Sequence, residues 1–151
     1  VPKSHSGRIL ALDVGKRRIG LALSDPLGIT AQGLETLERT RIRDDLARLK
    51  QLATEREVSL FLVGLPLHMS GAESAQAAYV REFARRLEEY TGVPVRFWDE
   101  RLTTVEADRA LREGHASLQQ RKRSIDRMAA VILLESYLDS GAAAGGMERA
   151  E

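Results

Sequence analysis

The chain has no cysteine. Disulfides, thiolate zinc sites and a thiol nucleophile are thereby excluded, and the composition fits a reducing cytoplasm. Aromatic residues make up only 5% of the 151 residues, too few for a broad base-stacking surface. No apolar run approaches the roughly 20 residues that a membrane helix needs. The opening residues lack the blocks of a secretory signal, so a cytoplasmic location without a membrane partner is expected. The net charge of +1 shows no excess of one sign. What is present is ordinary core material, 43% hydrophobic, which suits one globular domain of this length. That domain is expected over residues 7–140. Residues 1–6, which follow no pattern, are expected to be disordered, and the small, polar stretch 141–151 to be a flexible tail.

The charges are uneven despite the near-zero sum. Lys16-Arg17-Arg18 and Arg121-Lys122-Arg123 are the two cation clusters. Either can present a local phosphate-binding face; either can equally be solvated surface. The first cluster joins two apolar, strand-like runs, residues 7–14 and 18–24, with Gly15 letting the chain turn. Asp25-Pro26-Leu27-Gly28 signals a second turn, and residues 29–37 offer a third, less regular strand. From residue 41 the period becomes helical, with Leu46, Leu49 and Ala53 marking a face, and Leu52 beside them, up to about residue 57. Residues 59–64 are a continuous apolar run, as in a strand covered on both faces. A loop follows, then a helix over 73–90 stopped by Gly92, and a fifth strand over 93–98 with Pro94 at its start. Thr103 or Thr104 is placed to cap a short helix ending before Gly114. Residues 115–123 are expected as a mobile loop, and 124–138 as a final helix, apolar almost all round and so packed on the sheet. The expected architecture is α/β: a mixed five-stranded sheet, three antiparallel strands plus two parallel, with helices on both faces.

Acids stand at informative places in this order. Asp13 ends the first strand, Asp99 and Glu100 end the fifth, and Asp126 opens the last helix. If the first and fifth strands lie near each other, these acids meet at one end of the sheet. Clustered carboxylates repel one another unless a cation neutralises them. Hard oxygen donors without Cys or His favour Mg²⁺ or Mn²⁺ over zinc, and two such ions can activate a water and stabilise the leaving oxygen of a phosphodiester. Spacing alone leaves other readings open. Asp13 can be a turn-former bonded to its own backbone, Glu100 a surface partner of Arg101, and Asp126 a helix-start acid favoured by the macrodipole.

Four motifs in order narrow the choice. Asp13-Val14-Gly15-Lys16-Arg17-Arg18-Ile19-Gly20, Val63-Gly64-Leu65-Pro66-Leu67, Asp99-Glu100-Arg101-Leu102-Thr103-Thr104-Val105-Glu106-Ala107, and Asp126 followed by Ala129-Ala130 and Ile132-Leu133-Leu134-Glu135-Ser136-Tyr137-Leu138 resemble the YqgF/RuvX family. The resemblance runs from about Gly7 to Leu138. It implies a ribonuclease H-like fold similar to the resolvase RuvC. It implies a bacterial cytoplasmic nuclease, assigned in the family to maturing the 5′ end of the 16S rRNA precursor and earlier to resolving Holliday junctions. By motif position, Asp13, Glu100 and Asp126 are the implied catalytic and metal-holding acids, with two Mg²⁺ or Mn²⁺ ions. Lys16, Arg17, Arg18, Arg101, Arg121, Lys122 and Arg123 are the expected nucleic-acid contacts, on structured RNA or branched DNA, and symmetric junction cutting would call for a homodimer. His68 departs from the family's usual Asn. Two other readings stand beside this one: a non-catalytic nucleic-acid- or ribosome-binding module, and an ATP-binding domain of the actin-like group, whose first phosphate motif resembles the segment around Asp13.

Overall fold

The computed structural model describes residues 7–67, 70, 72–100 and 118–141, with the side chains of the last helix described from Met128 onward. The elements are β1 (Arg8–Val14), β2 (Arg18–Ser24), β3 (Ala31–Gly33), β4 (Leu37–Glu38), α1 (Ile42–Glu55), β5 (Val58–Leu65), α2 (Ala75–Thr91), β6 (Val95–Asp99) and α3 (Leu118–Asp139). The sheet runs β3-β2-β1-β5-β6, with β4 pairing to β2. β1 is antiparallel to β2 and parallel to β5, which is parallel to β6.

The mixed sheet is the expected one, with one change. The third strand is two short pieces, β3 and β4, both antiparallel to β2. The residues between them explain the break. Gly33 pairs with Ala22 and Leu37 with Ile19, so four steps along this segment face three along β2, and the extra residue interrupts the ladder after the Leu34 N–H reaches the Leu21 carbonyl. Gly92 ends α2 as its sequence position predicts, in the left-handed conformation at φ 76°, with its N–H on the Glu88 carbonyl. At the other end Ser74 Oγ accepts the Ala77 N–H at 3.0 Å. Pro94 cannot donate to the ladder, but its carbonyl accepts the Phe61 N–H.

Strand alternation divides the core into two layers. Leu10, Leu12 and Val14 of β1, Ile19, Leu21 and Leu23 of β2, and Phe61, Val63 and Leu65 of β5 pack with α1 and α2. The intervening residues Ala11, Ala22 and Leu62 pack with Ala130, Leu133, Leu134 and Tyr137 of α3. The second layer rests on small residues, so α3 lies close on the sheet. Tyr137, 1% exposed, meets Trp98 edge-on at 5.1 Å and accepts a hydrogen bond from Arg96 at 2.9 Å. The final helix begins at Leu118, six residues earlier than expected (124 − 118). Arg121, Lys122 and Arg123 are therefore in a helix and not in the loop their sequence suggested. The short helix expected after Thr103 and the positions Arg101 and His68 lie outside the described residues.

Candidate active site

The two layers decide which acids share a face. Asp13 alternates with Ala11 and so belongs to the α3 side of β1. It pairs with Gly20 of β2. One step past the last β1–β5 pair, Leu12 with Val63, it comes level with Gly64. Gly64 alternates with Leu62 and also belongs to the α3 side. A Cβ built on Gly64 would stand 2.9 Å from Glu100 Oε2 and 3.3 Å from Leu133 Cδ2. The Glu100 carboxylate therefore lies over the bare backbone of β5, under α3. Adjacent strands are about 5 Å apart, which puts that carboxylate about one strand spacing from the Asp13 position. Both acids are half-buried.

Asp99 is separated from this pair by the pleat. It alternates with Phe97, which packs against the α1–α2 core, so it sits on the opposite face from Trp98 and the Glu100 carboxylate. Asp126 is one turn before Ala130 in α3. It lies eight residues after Leu118, too deep in the helix to be a first-turn acid stabilised by the macrodipole.

The cations after Gly15 divide between the faces. Arg18 opens β2 and alternates with Gly20 and Ala22, on the side of Asp13. Lys16 goes the other way, its Nζ 5.7 Å from the centre of the Tyr79 ring of α2, and Arg17 is exposed between them. The turn is tight: the Gly15 N–H donates to the Arg18 carbonyl at 2.9 Å, and a Cβ on Gly15 would meet the same carbonyl oxygen at 2.9 Å. Only glycine fits there.

Motif reading missed the residues that hold this turn. Arg39 donates to the Gly15 carbonyl at 2.9 Å and to the buried Asp45 at 3.0 Å. Two charged residues 6 positions apart at a helix entrance look like surface, and no local pattern marks them as buried.

The donor set on the α3 face is carboxylate oxygen, which suits a hard divalent cation such as Mg²⁺ or Mn²⁺. The missing Cβ of Gly64 supplies the room that the Glu100 carboxylate occupies. The residues present thus fit such an ion. Among the described residues, no three His, Cys, Asp or Glu side chains form a metal-holding group.

This architecture is that of a RuvC-like ribonuclease H fold. The structure of Thermus thermophilus RuvC in complex with Holliday junction substrate matches with a TM-score of 0.57 at 16% identity, covering 89% of this chain and 96% of that one. A second T. thermophilus RuvC structure gives 0.53 over the same shares. The RuvX family model, described as Holliday junction resolvase, matches residues 7–140, and the chain belongs to that family. A protein of Koribacter versatilis described as "Putative pre-16S rRNA nuclease" is 52% identical over 138 residues, 91% of this chain and 90% of that protein. One of Moorella thermoacetica with the same description is 52% identical over 132 residues, 87% of this chain and 94% of that protein. No helix among the described residues is long and apolar enough to cross a membrane.

Proposed function

We propose that this chain is a divalent-metal-dependent endonuclease of the bacterial cytoplasm that hydrolyses phosphodiester bonds, with the 5′ end of the 16S rRNA precursor as substrate. The observation that carries the reading is the Glu100 carboxylate lying over Gly64 on the face of Asp13. The descriptions of the curated relatives support the substrate. The family description favours a second one, the Holliday junction, whose symmetric cutting would require a homodimer with two such sites.

In this reading Asp13, Glu100 and Asp126 hold two Mg²⁺ or Mn²⁺ ions. Bound there, such ions lower the pKa of an attacking water and stabilise the leaving 3′ oxygen. The chain's own part is positional. The pleat puts Asp13 and Glu100 on one face, and Asp126, one turn before Ala130 of α3, completes the set in this reading. Arg18, on that same face, contacts the scissile phosphate, while Lys16 and Arg17 hold the flanking backbone. Arg101 neutralises charge that develops in the transition state. Arg121, Lys122 and Arg123, at the start of α3, grip the strand without reading its sequence.

The experiment is a cleavage assay on matched substrates: a ribosomal-RNA precursor end, single-stranded RNA and DNA, and a four-way junction, with Mg²⁺ or Mn²⁺. Asp13→Asn should abolish cleavage and weaken Mn²⁺ binding in calorimetry while leaving the fold intact. Equal Mn²⁺ binding by both proteins, or none by either, would instead favour a non-catalytic binding module.

A further inference from the structure

The ion pair beneath the β1–β2 turn is built more elaborately than packing requires. Arg39 lies between β4 and α1, its side chain 7% exposed, and Asp45 in the first turn of α1 is 0% exposed. Arg39 Nε donates to Asp45 Oδ2 at 3.0 Å. Its Nη1 donates to the Gly15 carbonyl at 2.9 Å and to Tyr79 Oη at 2.6 Å. The other Asp45 oxygen accepts the Thr40 N–H at 3.0 Å. The guanidinium carbon lies 4.9 Å from the centre of the Phe83 ring and 5.8 Å from that of Tyr79. The Arg39 backbone N–H donates to the Arg17 carbonyl at 2.9 Å. One side chain therefore ties the β1–β2 turn, the entrance to α1, and α2.

A buried ion pair is a poor device for stability alone. Desolvating both charges offsets most of the attraction, and well-packed apolar residues of the same volume often do as well or better. Apolar residues cannot, however, satisfy a turn carbonyl. The planar guanidinium can, because its donors project in fixed directions. The carbonyl it satisfies belongs to Gly15, two residues after Asp13 and one before Lys16. Asp45 offsets the charge of Arg39, so the cation does not repel the Lys16-Arg17-Arg18 run above it.

We propose that Arg39, held by Asp45 and Tyr79, is a positioning residue of the nuclease site: it sets the Gly15–Arg18 turn, and so the distance between the Asp13 carboxylate and the cations that flank the phosphate. This rests on the nuclease reading above. Lysine at 39 keeps the charge, but its single ammonium cannot reach Asp45, the Gly15 carbonyl and Tyr79 together. Tyr79→Phe removes one of the three polar contacts and keeps the ring under Lys16.

The test compares wild type, Arg39→Lys and Tyr79→Phe at a temperature where circular dichroism shows all three folded. Hydrogen exchange at the Gly15 amide should be at least tenfold faster in Arg39→Lys, with the amides of β5 unchanged. Its kcat per folded molecule should fall at least tenfold while KM stays within about threefold. Tyr79→Phe should show the same pattern, several-fold in size. In Arg39→Ala, millimolar guanidinium should restore part of the lost kcat. Faster Gly15 exchange with wild-type kcat would make the pair merely structural and overturn the inference, as would unchanged exchange in Arg39→Lys. A wild-type protein that cleaves none of the substrates refutes the nuclease reading itself, and is told apart by needing no variant.

Discussion

Gly64→Ala is the substitution that most directly separates the proposed chemistry from the fold. Gly64 lies inside β5 and has no positive φ, so alanine can adopt its backbone conformation. The new methyl would stand 2.9 Å from Glu100 Oε2 and 3.3 Å from Leu133 Cδ2. The first distance is roughly half an ångström inside ordinary contact, and the second only slightly inside. The carboxylate is the far end of a flexible side chain, so it yields first. Overpacking of this kind costs about 1–3 kcal/mol, offset in part by about 0.4–1 kcal/mol from the stiffer unfolded chain. The net loss of stability should stay below about 2.5 kcal/mol. Catalytic geometry is less tolerant, since an ångström of misplacement can cost about a hundredfold. A shift of half that size or more should lower kcat about ten- to a hundredfold. Urea unfolding and single-turnover cleavage on the same preparation give both numbers. A folded variant with kcat within threefold of wild type would refute the argument that Glu100 acts from over Gly64.

Other outcomes follow from the same geometry. Replacing Arg121, Lys122 and Arg123 with Ala should reduce the slope of log affinity against log salt by up to about 2–3, at roughly 0.7–0.9 per lost phosphate contact; an unchanged slope removes the start of α3 from the substrate path. Leu133→Ala, at a position 1% exposed between α3 and the sheet, should cost about 2–5 kcal/mol. The unfolding is readable from Trp98, whose ring meets Tyr137 of the same helix, and a loss under 1 kcal/mol would mean that α3 does not dock there. Asp25 accepts the Thr30 and Ile29 N–H groups, each at 2.7 Å, and these bonds, that to Thr30 foremost, hold its carboxyl below the usual aspartate range. A lowered pKa in the folded state means that its contribution is present above the unfolded value and is lost as pH falls through the folded one. The Asp25–Thr30 loop should therefore loosen only in acid below the ordinary aspartate range, and a carboxyl titration by NMR at or above that range would contradict this.

Much of this molecule is legible along the chain because its signals are local. The apolar runs around Leu10 and Phe61 announce covered strands, Leu46, Leu49 and Ala53 announce one face of α1, and Gly92 announces where α2 stops. The ordered motifs around Asp13, Gly64 and Glu100 announce the family. Local signals misjudged the segment after Pro26, where one strand was expected and two short ones pair with β2. They also misjudged residues 118–123, which continue a helix that the apolar pattern alone begins later. In the segment after Pro26 the deciding contacts are with β2.

Sequence by itself determined most of the strands and helices, and that Asp13 and Glu100 stand at strand ends, since burial and periodicity are written in consecutive residues. Only the tertiary structure decided what those acids and cations face. The pleat puts Asp99 on one side and the Glu100 carboxylate on the other, though they are neighbours in sequence. It likewise puts Arg18 on the face of Asp13, while Lys16, in the turn, rests against Tyr79. Arg39 reaches a carbonyl 24 residues away and a tyrosine hydroxyl 40 residues away. Contacts at such separations leave no periodic trace, because they arise only when the sheet and its covering helices close on one another.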